Sequence, residues 1–129
     1  MSEIVTNFKQ PTTTAQFETE ISSFKEHHDK LLQYLLQQDL GVLKGMYSRK
    51  QIESSLILRI VKSLSQIKDS SRLSSEKVHG LFLTFSKAKG FKLSSKMLLK
   101  KEKEQLRELF SKMGAKEGSD LYKAYNLIK

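Results

Sequence analysis

Apolar residues recur at helical spacing along most of the chain, and the clearest case lies between Tyr47 and Lys68. At about 100° per residue, the apolar side chains of this stretch fall on one side of a helix. Ser48 and Gln51, three residues apart, predict a capping box at its start. The pattern predicts a central helix with a wide buried face, formed by Ile52, Leu56, Ile57, Ile60, Val61, Leu64 and Ile67.

Similar stripes predict further helices at about 13–38, 73–89 and 94–113, and a short last helix from about 119. Thr13 and Gln16 predict a capping box for the first of them. Their core-facing residues are predicted to be Phe17, Ile21, Phe24, Leu31, Leu32, Leu35, Val78, Leu81, Phe82, Phe85, Leu98, Leu99, Leu106, Leu109, Phe110, Met113, Leu121, Ala124, Tyr125 and Ile128. Residues 39–46 contain two glycines and predict a turn or a short helix.

No stretch alternates apolar and polar residues over the length of a strand, so the predicted fold is all-α. We expect a compact bundle of about five helices, mostly antiparallel neighbours with short loops. A chain of 129 residues suits one domain. Residues 1–12 are predicted to form a flexible N-terminal arm, and residues 13–129 a single helical domain.

The composition excludes several classes of protein. No cysteine is present, which excludes disulfides, thiolate metal sites and a cysteine nucleophile. The apolar runs are too short for a transmembrane helix or for the core of a signal peptide. We therefore expect an intracellular soluble protein, cytoplasmic or nuclear. Secretion without an N-terminal signal is left open.

Charge is distributed unevenly along the chain, whose net charge is +9. Residues 1–43 carry three basic and six acidic side chains, whereas residues 44–129 carry 20 basic and eight acidic ones. A basic body of this kind predicts an acidic partner, either a protein, a nucleic acid or an anionic membrane surface. Because lysines outnumber arginines 19 to 4, a solvated lysine-rich surface is the alternative.

The densest basic region lies between residues 87 and 107. The predicted partner-binding residues share a positive charge and are Lys87, Lys89, Lys92, Lys96, Lys100, Lys103 and Arg107. The last four follow i, i+4, i+7, i+11 spacing, so they would form one strip on a continuous helix. Such a strip would supply salt-sensitive contacts to anionic groups rather than reading of base sequence.

Two further patterns lie in the same region. The turn Gly90-Phe91-Lys92-Leu93 joins two predicted helices, which leaves a helix-turn-helix with a recognition helix at 94–113 open. The segment Phe91-Lys92-Leu93-Ser94 leads into a lysine-rich helix. It resembles part of the helical docking modules related to the N-terminal domain of transcription elongation factor S-II. This short resemblance does not assign the chain to that family.

Residues that often carry chemistry form no recognisable catalytic or metal-binding set. His27 and His28 are adjacent, so they cannot share one helix face, and we expect a half-buried His28 bonded to a neighbour. Glu102 lies within an apolar stripe, which predicts a carboxylate paired with His28 or with a lysine. We predict no enzymatic activity, no cofactor, no metal site and no small-molecule substrate.

A few apolar residues fall outside the main stripes: Tyr34, Leu36, Leu58 and Leu83. They are expected to form a second contact layer, with a partner-binding patch as the alternative. The predicted function is that of a non-catalytic adaptor or regulator. It would dock an acidic macromolecular partner through its basic face and adjacent apolar residues. The alternative is a nucleic-acid-binding protein that contacts phosphates through residues 87–107, and homo-oligomer formation is left open.

Overall fold

The computed structural model describes residues 10–24, 27–68, 72–73, 76–115, 120–125 and 127. All regular secondary structure in these ranges is helical, which confirms the all-α prediction. The helices are α1 (Thr14–Phe24), α2 (His28–Leu36), α3 (Leu40–Tyr47), α4 (Ser54–Leu64), α5 (Glu76–Ser86), α6 (Phe91–Lys96), α7 (Lys100–Lys112) and α8 (Asp120–Ala124). Across these described ranges, no helix has the length and apolar character needed to cross a bilayer.

The helix predicted at 13–38 is two helices, α1 and α2. Its start is confirmed, because the Thr13 hydroxyl accepts a hydrogen bond from the Gln16 amide over 3.1 Å. At the other end of α1, the amide of His27 donates to the carbonyl of Phe24 over 2.6 Å, a tight closure that ends the helix. Apolar spacing continues across this interruption, which is why the pattern predicted a single helix.

The N-terminal segment joins the bundle at Gln10. Its side-chain oxygen accepts a hydrogen bond from the amide of Asp39 over 2.9 Å, and its side-chain nitrogen donates to Gln38 over 3.3 Å. Pro11 is buried. Residues 1–9 of the predicted arm lie outside the described residues.

The predicted start of the central helix is wrong. Tyr47 ends α3 and α4 begins at Ser54, so the expected capping box does not form. The Ser48 hydroxyl instead donates to the carbonyl of Gly45 over 2.7 Å. The amide of Lys89 donates to the carbonyl of Tyr47, and the amide of Ile52 donates to the carbonyl of Lys89, over 2.9 and 3.1 Å. These bonds tie the segment before α4 to the turn after α5.

Two helices share the centre of the bundle. The helix α4 packs against α2, α6 and α7, and α5 packs against α2, α3, α6 and α8. The described residues of the predicted apolar stripes are buried, apart from the half-buried Ala124 and the exposed Leu99. Ile128 lies outside the described residues. Tyr34 is fully buried, and Leu36, Leu58 and Leu83 pack on the core, which confirms the predicted second layer.

Aromatic rings connect the helices through the core. Phe17 of α1 lies 6.0 Å from Tyr34 and 6.3 Å from Phe85, measured between ring centroids. At the other end, Phe82 contacts Tyr125 at 6.1 Å, and the Tyr125 hydroxyl donates to the Phe82 carbonyl over 2.7 Å. Burial raises the pKa of Tyr125, so it remains a neutral donor. The same network includes α6, because Phe91 at the start of that helix packs on Tyr125.

Candidate functional site

The helix α6 buries serines and exposes a leucine. Ser94 and Ser95 are 8% and 2% exposed, whereas Leu93 is 59% exposed. Both buried hydroxyls are hydrogen-bonded, Ser94 to the carbonyl of Ile52 over 3.1 Å and Ser95 to the carbonyl of Lys92 over 2.9 Å. A helix on a bundle surface normally turns its apolar side inward. The inward face of α6 buries Phe91 together with the two serines, and Leu93 is left on the outside, where the core does not use it.

Contacts distant in sequence fix the orientation of α6. Phe91 is 3% exposed and packs edge-on against the ring of Tyr125 at 4.8 Å. Gly90, with φ +75°, takes the left-handed conformation that glycine adopts most easily. A Cβ atom at Gly90 would lie 2.5 Å from Cγ of Gln51. The turn after α5 therefore lies closely against the segment before α4. This close packing fixes the direction in which α6 begins.

Three large apolar side chains are exposed within seven residues of chain. Leu93, Met97 and Leu99 are 59%, 70% and 66% exposed. Across the described residues the only other exposed large apolar side chain is Val42 of α3, at 37%. Leu93 and Met97 are four residues apart on one helical turn, so their side chains are neighbours. We call these three residues, together with Lys92, Lys96 and Lys100, the α6–α7 surface.

A break between α6 and α7 interrupts the predicted lysine strip. The helix α6 ends at Lys96, Leu98 is buried, and Leu99 is extended with φ −72° and ψ 157°. Lys96 and Lys100 therefore do not share one helix, contrary to the prediction. Glu102 stabilises the new start, because its carboxylate accepts the amide hydrogen of Leu99 over 2.8 Å. The expected pairing with His28 or a lysine is not found among the described residues.

The predicted partner-binding residues differ in exposure. Lys87, Lys89, Lys92, Lys96 and Lys100 are exposed, whereas Lys103 and Arg107 are half-buried. The guanidinium of Arg107 donates to the carbonyl of Leu127 from Nε over 3.1 Å and from Nη2 over 2.9 Å. Residues 87–101 contain six lysines and no acidic residue. The exposed apolar residues thus lie in a segment whose charged residues are all basic.

The remaining sequence candidates have structural partners. His28 is half-buried and its Nδ1 lies 2.7 Å from the Ser63 hydroxyl oxygen, as predicted. His79 bonds through Nε2 to the carbonyl of Met113 over 2.9 Å. In the part of the chain that the structure describes, no three potential metal ligands converge. The recognition helix expected at 94–113 is interrupted at 97–99, which removes the helix-turn-helix geometry.

The sequence predictions cover the charge of this region but not its exposed apolar residues. Leu99 is predicted to face the core, and Leu93 and Met97 are not among the predicted partner-binding residues. Two features of the sequence are consistent with this arrangement: Ser94 and Ser95 are adjacent, and Glu102 follows Leu99 by the three residues of a helix start. Residue spacing does not reveal that the Ser94 hydroxyl bonds to the distant carbonyl of Ile52, while the Ser95 hydroxyl bonds to Lys92 of its own helix.

Comparison with known proteins assigns the chain to a family. The sequence profile RPAP3_C, described as the potential Monad-binding region of RPAP3, matches residues 10–103. The fold is similar to the NMR structure of the C-terminal domain of the human RPAP3 protein, with a TM-score of 0.70 and 22% sequence identity. That similarity covers 97% of this chain and 93% of the other. Curated protein sequences give no significant match. Neither comparison supports the nucleic-acid-binding alternative.

Proposed function

Because the chain belongs to the RPAP3_C family, we propose that it is a non-catalytic protein-binding domain. It acts as an adaptor or regulator that docks a partner protein on the α6–α7 surface. One observation carries the proposal: α6 buries Ser94 and Ser95, while Leu93 on α6 and Met97 at its C-terminal cap are exposed. Grouped apolar exposure on a soluble domain is typical of an interaction site.

The chemistry of this surface favours an acidic partner. Exposed apolar side chains form the core of an interface, which loses its water on binding. Charged residues around that core orient the two proteins and speed their association. Here the rim consists of Lys92, Lys96 and Lys100, with Lys87 and Lys89 on the preceding turn. The matching partner segment would carry apolar residues among aspartates and glutamates. A second copy of this chain would bring like charges together, which argues against self-association through this face.

The seven basic residues contribute unequally in this proposal. The exposed lysines are free to extend toward a partner, whereas Arg107 already holds the carbonyl of Leu127. Lys103 is half-buried beside it on α7. We therefore assign the main electrostatic contribution to Lys92, Lys96 and Lys100, and a supporting one to the others.

A protein of the Monad type is the first partner to test. The family description names Monad as a potential ligand of the corresponding region of RPAP3. The matched residues, 10–103, include all of α6 and the start of α7, and therefore the whole α6–α7 surface. The proposal extends that description to this chain.

Isothermal titration of the chain with purified Monad tests the proposal. We expect a saturable complex whose affinity is lower in the double variant K92Q/K96Q. The affinity should also fall as the salt concentration rises, because salt screens the charges of a solvent-exposed rim. The matched control K44Q/K123Q removes the same charge from two exposed lysines on α3 and α8. Absence of heat and of co-elution at tens of micromolar protein would exclude this partner. Equal weakening by both variants would exclude the α6–α7 surface as its electrostatic site.

A further inference from the structure

A cationic groove runs between α1, α2 and α4, and none of its lining residues belongs to the α6–α7 surface. It consists of two adjoining depressions with volumes of about 720 and 560 Å³. Both are lined by His28 and Gln66, which join them. Volumes of this size are those of small-molecule sites.

The described lining of the larger depression combines two apolar residues, Ile21 and Leu31, with hydrogen-bond donors, and none of these described residues is acidic. Arg59 and Lys62 lie three residues apart on α4, so they occupy the same face of the helix. The guanidinium of Arg59 donates from Nη1 to the Ser22 hydroxyl over 2.6 Å, which holds it across the groove toward α1. Lys62 is exposed and has no salt-bridge partner among the described residues. This depression therefore carries an excess of two positive charges.

The smaller depression also has a positive excess. Its described lining includes Lys30, Lys68 and Arg72, and Asp29 is the one acidic residue among these described positions. Asp29 forms an ion pair with Arg72, so no described lining residue compensates the charges of the two lysines. Between the two depressions, the His28 imidazole is held by its hydrogen bond to Ser63, whose side chain is buried.

We propose that this groove binds a small ligand that carries two or more phosphate groups. A guanidinium, an ammonium and hydroxyl groups are the donors that phosphate oxygens prefer. Two adjoining depressions, each with a positive excess, match a ligand with more than one phosphate group. The total volume exceeds the needs of one inorganic phosphate. Because the groove shares no residue with the α6–α7 surface, this inference is independent of the proposed protein partner.

An NMR titration of the whole chain with inorganic pyrophosphate tests the proposal. We expect saturable shifts of backbone amides at Ser22, His28, Arg59 and Lys62, and weaker binding of orthophosphate. The variant R59Q/K62Q should weaken pyrophosphate binding at least about tenfold. The control K92Q/K96Q, which removes the same charge elsewhere, should change it less than about twofold. Equal losses in both variants, or shifts spread over residues 87–101, would show general attraction to a basic protein and overturn the proposal.

A second variant and a second ligand source complete the test. K62Q/K68Q removes one charge from each depression without touching the Arg59–Ser22 bond, so a binding loss in it cannot come from a disturbed α1. Soluble inositol bisphosphate and phosphatidylcholine vesicles that carry a bisphosphorylated inositol lipid then separate free ligands from membrane headgroups. If either ligand binds the wild type and the K62Q/K68Q variant binds it more weakly, the result supports the phosphate site. The ligand that binds then identifies the source. Absence of pyrophosphate binding at millimolar concentration would overturn the proposal.

Discussion

The hydroxyl of Ser94 donates a hydrogen bond to the carbonyl oxygen of Ile52 over 3.1 Å. This bond joins α6 to the segment before α4, two parts of the chain that are 42 residues apart. The bond satisfies the Ser94 hydroxyl at a buried position, where a helix normally places an apolar residue. The neighbouring Leu93 is turned outward as a result, onto the proposed docking surface.

Replacing Ser94 by alanine should lower the free energy of unfolding by about 1 kcal/mol, because one buried hydrogen bond is lost. Urea denaturation followed by circular dichroism measures the change. The control S111A alters an exposed serine on α7 and should have an effect within about 0.5 kcal/mol. Equal stability of S94A and the wild type would mean that the bond to Ile52 does not orient α6.

The variant G90A should be destabilised for two separable reasons. Alanine at φ +75° costs about 1–2 kcal/mol, and its Cβ would lie 2.5 Å from Cγ of Gln51. A double-mutant cycle with Q51A should recover the steric part and leave the backbone part. Denaturation curves of the four proteins provide the numbers. Additive effects of G90A and Q51A would contradict the close approach of these two segments.

Arg107 should stabilise the fold more than it binds a partner. The conservative variant R107K keeps the charge but loses the paired contact with the carbonyl of Leu127, so unfolding should become about 1 kcal/mol easier. Thermal denaturation measures that loss, and titration with Monad should show an affinity within about twofold of the wild type. A large loss of affinity at unchanged stability would place Arg107 in the interface instead.

Alkaline pH should destabilise the protein through its buried tyrosines. Burial raises the pKa of Tyr125, and it also raises the pKa of Tyr47 and Tyr34, with the carboxylates of Glu18 and Glu20 adding to the effect. These phenols ionise near pH 10 in the unfolded chain and only at higher pH in the folded one. Their contribution is therefore constant below about pH 10 and decreases above it, by about 1.4 kcal/mol per pH unit for each tyrosine.

The variant Y125F isolates this effect from the titration of lysines, which occurs in the same range. Urea denaturation between pH 9 and pH 11 should show a shallower decline for Y125F, because one fewer phenol ionises on unfolding. The same variant loses the bond to the Phe82 carbonyl, so it should be less stable at neutral pH. Parallel declines in Y125F and the wild type would contradict the raised pKa of Tyr125.

The buried faces of the helices could be predicted from sequence, but two helix interruptions could not. Burial follows from the spacing of apolar residues, and stripes such as Phe17, Ile21 and Phe24 keep that spacing in the structure. The breaks near His27 and Leu99 contain neither glycine nor proline, and apolar spacing continues across both. A backbone hydrogen bond from His27 to Phe24 closes the end of α1, and the Glu102 carboxylate caps the start of α7; apolar spacing specifies neither bond.

The charge of the candidate site was evident from the sequence, whereas its apolar part was not. Lysines between residues 87 and 101 are visible as composition. Whether Leu93 faces the core depends on the rotation of α6 about its own axis. That rotation is set by Ser94 bonding to Ile52 and by Phe91 packing on Tyr125, two contacts between distant parts of the chain. Sequence periodicity alone gives no information about such partners.

The affinity of the variant M97S for the partner protein is the most direct test of the α6–α7 surface. Met97 is the most exposed large apolar residue among those that the structure describes, and V42S is a matched control at the exposed apolar residue of α3. Calorimetric titration with Monad should give a Kd at least about tenfold weaker for M97S, and within about twofold of the wild type for V42S. Wild-type affinity in both M97S and the triple variant L93S/M97S/L99S would contradict docking at this surface.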